Sequence, residues 1–232
     1  MLDQAFDALK SYDWGVDPKV LRPIDDAVVA KNGESSAKEL EARLAAVLGT
    51  DVSRDAKDYV CRKLRMIGTA SSVSALAKLL SEKELSHMAR YALECIPAAE
   101  AAAALRDALA RLSGELKVGV ISSLGARRDA GSVEALSGLL GDGDAAVARA
   151  AALALGAIRT PEAAAALAKA NPSEPEAKIA DTDATLACAE GLLAHGKKAE
   201  ALAVYKGLAG EGQPKHVRLA ATSGILACAR GN

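Results

Sequence analysis

The sequence predicts an all-α fold, a solenoid of about six two-helix repeats with an N-terminal helical cap. Two observations lead there. Half of the 232 residues are hydrophobic while only 3% are aromatic, and alanine makes up the difference. Alanine is the best helix former because it loses no side-chain entropy on folding, and alternating runs of Val, Ile, Thr and Tyr are absent. The second observation is an echo: "SVSALAKLL" from Ser72 returns as "SVEALSGLL" from Ser132. Leu76, Leu105, Leu136, Leu167 and Leu202, each preceded by Ala, lie 29, 31, 31 and 35 residues apart. Self-similarity at that period marks a stacked repeat, because one such unit cannot bury its apolar face alone.

The elements follow in order. Residues 1–33 break the repeat and are expected to cap it: "LDQAFDALKSY" reads as a helix, "DWGVDP" as a turn, and "VLRPIDDAVVA" as a second helix begun near Pro23. Residues 34–232 are expected to form the solenoid, in units near 36–68, 70–97, 99–126, 130–159, 161–196 and 198–232. The first helix of a unit carries A-L-x-x-L-L, as in "ALAKLL" and "ALSGLL", one apolar stripe at helical spacing. The second helix is indexed from Tyr59, Met88, Leu116 and Val147. Five residues on stand Leu64, Leu93, Ile121 and Ala152, and eight on Ile67, Ile96, Leu124 and Leu155. Nine on stand Gly68, Pro97, Gly125 and Gly156, read as the residues that end the helix. "NPSEPEAKIADTD" (171–183) reads as an acidic loop, because Pro172 and Pro175 push the residues before them out of helix.

"GDGDAAVARAAALALGAIRTPEAAAAL" resembles a HEAT repeat of the short, Ala-rich kind also found in phycobilisome-lyase-like proteins. Asp144, Val147, the Ala run, Leu155-Gly156 and Pro161-Glu162-Ala163 carry the resemblance, which extends over about residues 36–232 and is strongest from 129 to 167. It implies a right-handed superhelix whose second helices line the concave surface. One departure stands out: the residue after Val147, commonly Arg in this repeat type, is Ala148, so the usual inter-repeat Arg ladder is incomplete.

Positions 2, 3 and 6 of the second helix are expected to point away from the core. They hold Arg90 and Arg149, Arg62 and Tyr91, and Arg65 and Glu94. Arg and Tyr are enriched at binding hot spots, so Arg62, Arg65, Arg90, Tyr91 and Arg149 form the candidate binding face. Five of the six aromatics precede residue 92, which favours the N-terminal half. Two structural readings compete: Arg as struts to acids of the next repeat, and Trp14 as a plug for the open end of the core.

The chemistry of an enzyme is not legible. His87, His195 and His216 are scattered, no His-Glu pair of the HEAT-like deoxyhypusine hydroxylases occurs, and there is no G-x-S-x-G, P-loop or G-x-G-x-x-G. "GLLGDGD" reads as a turn. Cys61, Cys95, Cys188 and Cys228 form no C-x-x-C pair and read as four small buried thiols, without metal or disulfide. A balance of 29 basic and 30 acidic residues gives no global attraction to nucleic acid or anionic membrane, and no apolar run reaches the roughly 18–20 residues of a membrane span. No secretory leader is visible, and cytoplasmic placement is favoured. The expectation is therefore a non-enzymatic scaffold module without cofactor, part of a longer protein. It is expected to be monomeric and to bind a protein or acidic peptide, with neither nucleic acid nor membrane as partner. A bilin-lyase-type enzyme and a structural spacer are the alternatives.

Overall fold

The structure, a computed structural model, describes residues 1–30, 33–170, 172 and 174–230. Its described residues form helices and turns and no strand. They divide into two compact units, Met1–Leu112 and Ser113–Asn232.

The first unit contains α1 (Leu2–Leu9), a 3-10 turn at Pro18–Leu21, α2 (Arg22–Ala30), α3 (Glu34–Val47), α4 (Arg54–Ile67), α5 (Ala70–Lys78), α6 (Ser86–Cys95) and α7 (Ala99–Arg111). Two layers result. Helices α3, α5 and α7 pack side by side in one, and α2, α4 and α6 in the other. The sequence explains where the helices start. Ser53 caps α4 by accepting from the Ala56 amide at 3.0 Å, and its hydroxyl donates to the Tyr12 carbonyl. Thr69 caps α5 through the Ser71 amide. Such caps satisfy amides that have no partner inside the helix. A polar cluster ties α2 to α4: Tyr59 donates to Asp25 at 2.8 Å, and Lys63 reaches the same carboxylate at 2.6 Å. Burial and the Asp25 bond push the Tyr59 phenol far above its ordinary pKa.

The second unit repeats the scheme with α8 (Gly114–Ala126), α9 (Val133–Gly138), α10 (Ala145–Ile158), α11 (Pro161–Lys169), α12 (Pro175–Ala194), α13 (Lys198–Leu208) and α14 (Lys215–Ala229). Helices α8, α10, α12 and α14 form one layer, and α9, α11 and α13 the other. Asp144 caps α10 and Thr160 caps α11.

The core follows the sequence periodicity: Leu76, Leu105, Leu136 and Leu167 are all buried. In α13 the register differs, and Ala201, Tyr205 and Leu208 are buried while Leu202 is half-exposed.

Four expectations are corrected. Gly68 and Pro97 lie at helix ends, but Gly125 and Gly156 lie inside α8 and α10. They are there for closeness. A Cβ on Gly125 would sit 2.8 Å from the Cα of Ala154, and one on Gly156 would sit 2.7 Å from the Cα of Ala184. Residues 175–183 are not loop. Pro175 stands in the first turn of α12, where a helix has no use for the missing amide and the fixed φ fits. Asn171 and Ser173 of that stretch lie outside the described residues. Trp14 plugs nothing, since 89% of it is exposed. Position 2 of the second helix does not always face outward, because Cys61 is buried there.

Candidate binding surface

Helices α4 and α6 are neighbours in one layer, and spacing of three places Arg62 and Arg65 on one side of α4. The Arg65 guanidinium lies 4.3 Å from the centre of the Tyr91 ring on α6, within the range of a cation–π attraction. Its Nε–H also donates to Cys95 Sγ at 3.2 Å. Arg62 is two-thirds exposed and paired with Asp58, one turn back on its own helix, at 2.9 Å. That hydrogen bond and charge hold the Arg62 guanidinium's pKa above its usual value, with Tyr91 contributing in the same direction. Arg90 is half-buried, and burial lowers its pKa while Glu94 one turn on opposes the shift. The structure thus brings Arg62, Arg65 and Tyr91 onto one surface, with Arg90 beside Tyr91 on α6. Tyr91 remains 40% exposed, so the ring offers a face or edge to a partner while one Arg is already stacked on it.

Arg149 belongs to the second unit. It projects from α10 with 57% of its side chain exposed, and its nearest acid, Glu176 of α12, is 4.0 Å away. A groove of about 410 Å³ runs between α8 and α10, lined by Arg149, Val118, Ser122, Ala150 and Leu153. Leu153 is 48% exposed. Sequence reasoning passed over Val118 and Leu153. Leu153 occupies position 6, an outward position, and a leucine there was the available signal.

Among the described residues no group of three or more His, Cys, Asp or Glu converges as a metal would require, and no helix is long and apolar enough to cross a membrane. All four cysteines are free. They are not all buried as expected: Cys95 at the end of α6 is exposed and Cys228 is partly exposed, while burial pushes the Cys61 thiol up to about 12 and the Cys188 thiol up to about 11.

Residues 102–185 match the family model for HEAT repeats. Over that span the chain is similar to HEAT repeats. The matched HEAT region covers α8 to α11 entire, with most of α7 and half of α12. The match is to HEAT repeats in general and does not single out the phycobilisome-lyase-like kind. No curated protein matches the chain. Among solved structures, an engineered protein is similar at 22% identity, covering 100% of this chain and 69% of its own, with a TM-score of 0.47. A designed armadillo repeat protein in complex with the peptide (KR)4 is similar at 17% identity, covering 98% of this chain and 99% of its own, with a TM-score of 0.34.

Proposed function

We propose that this chain is a non-enzymatic, monomeric scaffold that binds a protein or peptide through carboxylates on the partner. The observation that supports this most is the Arg65–Tyr91 stack with Arg62 exposed beside it. Two guanidinium groups and a phenol at a helix–helix seam offer bidentate donors for acidic side chains and a flat aromatic contact. The strut reading fits Arg149, which reaches Glu176 of α12, better than it fits Arg62 and Arg65. Arg62 is held by an acid of its own helix, and Arg65 crosses to a ring and a thiol. Arg149, beside the apolar α8–α10 groove, offers the second unit a contact of the same kind.

The test compares two baits in lysate of the source cell, the wild-type chain and an Arg62→Glu/Arg65→Glu variant. A protein captured by the wild type should be lost from the variant and should elute as salt rises, since exposed charges are screened over about 8–10 Å at moderate ionic strength. The variant should stay folded with a modestly lower melting temperature, because the exposed Arg62–Asp58 pair and the Arg65–Tyr91 stack it removes are each worth up to about 1 kcal/mol. Identical capture by the two baits would overturn the proposal.

A further inference from the structure

The groove between α8 and α10 in the second unit holds about 410 Å³, near the small end of the range of ligand clefts, about 300–1,000 Å³. Its floor is glycine and alanine. Gly125 of α8 and Ala154 of α10 approach so closely that a Cβ on the glycine would sit 2.8 Å from the Ala154 Cα. Its rims are larger and less buried. Val118 and Ser122, one turn apart, stand on the α8 side, and Arg149 and Leu153, also one turn apart, on the α10 side. A single exposed leucine is ordinary. Leu153 differs because it leaves 48% of its surface in water beside a concave apolar face, while its chain neighbours Ala152, Ala154 and Leu155 are buried.

Charge selects among occupants. Among the described residues lining the groove, Arg149 carries the charge, so a complementary occupant brings an anion. Glu176 of α12 competes for it, but at 4.0 Å, with side chains 57% and 85% exposed, that pair is loose. Exposed pairs of this kind contribute little, so a carboxylate that arrives with apolar burial displaces Glu176. Shape selects further. The groove is open to solvent, which suits a chain segment better than an enclosed small molecule. Arg149 and Leu153 are four residues apart on one helix, which puts them about 6 Å apart. An amphipathic helix offers its own side chains at that spacing, and helices dock into grooves through such anchors.

We propose that the α8–α10 groove receives an amphipathic helix of a partner protein. A leucine-sized side chain of that helix lies on the alanine floor against Leu153 and Val118, and a carboxylate one turn away pairs with Arg149. This rests on the reading that Arg149 meets a partner's carboxylate, and adds to it the apolar anchor and the helical spacing.

The intact chain is titrated with an alanine-based helical peptide that carries one leucine and a glutamate one turn to either side of it, while backbone amide resonances are followed by NMR. Saturable shifts are expected at Val118, Ser122, Ala146, Arg149, Ala150 and Leu153. Replacing the peptide's leucine by alanine should weaken binding roughly tenfold, and replacing its glutamates by glutamine about threefold. Arg149→Glu should reverse the charge preference, so that a version with lysine in place of glutamate binds more tightly than the original. Ser122 is exposed, and Ser122→Trp, which puts an indole in the groove, should abolish the shifts. Arg62→Glu/Arg65→Glu, in the other unit, should leave them unchanged, so the groove and the α4–α6 surface fail separately. Loss of the shifts in that variant would place the peptide on the α4–α6 surface and overturn the assignment. So would no saturable shift, equal affinity of the alanine version, an Arg149→Glu chain that still prefers glutamate, or hexanoate binding as tightly as the peptide. The peptide comparisons use the wild-type chain alone, so they decide the matter even where a variant does not fold.

Discussion

Glu41 on α3 is 2% exposed, and a carboxylate is almost never so buried unless something answers its charge. Thr69 answers it: the amide donates at 2.6 Å, and the hydroxyl donates to both carboxylate oxygens at 3.0 and 2.9 Å. That hydroxyl also accepts from the Ser71 amide at 3.2 Å. The carboxylate therefore anchors the cap of α5 at the positive end of its dipole. Glu41→Ala leaves the Thr69 donors unanswered and should cost about 2–3 kcal/mol in a urea unfolding experiment. Glu41→Gln keeps an accepting oxygen and should cost less. A loss below about 0.5 kcal/mol for the alanine variant would show that the strut carries no weight.

At the scale of helices, two glycines inside helices, Gly207 and Gly156, make opposite forecasts from their neighbours. Gly→Ala inside a helix normally stabilises by about 0.5–1 kcal/mol, and Gly207 in α13, with open space around it, should behave so. Gly156→Ala would drive a Cβ into the backbone of α12 at Ala184, and overpacking of that kind costs about 1–3 kcal/mol. Thermal melts of the two variants should therefore move in opposite directions; parallel shifts would mean the helices do not touch there. These positions also show what the sequence could disclose. Leu76, Leu105 and Leu136 were legible as core because burial of one face imposes a period on the letters. Gly156 was misread because a glycine that ends a helix and one that lets two helices touch are the same letter. Pro175 was misread for a similar reason, since proline starts helices as well as breaking them. Glu41 was not legible at all: its partner lies 28 residues away, and nothing local distinguishes it from a solvated glutamate. Of the candidate site, the residue types on α4 and α6 could be read; the stacking of Arg65 on Tyr91 depends on how those helices pack, which one helix's pattern does not encode.

For the whole molecule, the contact pattern has a thermodynamic counterpart. Most helices touch neighbours in their own layer and in the facing one, within two compact units that each have a core. Stability in such arrays is a sum of local terms with nearest-neighbour couplings. Calorimetry should therefore give a measured unfolding enthalpy larger than the van't Hoff value, and Glu41→Ala should shift only part of the transition. Equal enthalpies and one rigidly displaced transition would refute this. The glycine contacts carry a last consequence, for how such a chain can grow. Helix α10 bears both halves of a fitting: Ala154 receives Gly125 of α8, and Gly156 receives Ala184 of α12. A duplication of the 31 residues from Ala126 to Gly156 would copy tooth and socket together, so the inserted segment would mate with both of its new neighbours. Helix α12 breaks that rule, since its Gly191 meets the side chain of Arg159 instead. Tandem copying is thus compatible with the stretch around α10 and meets a mismatched joint one helix later.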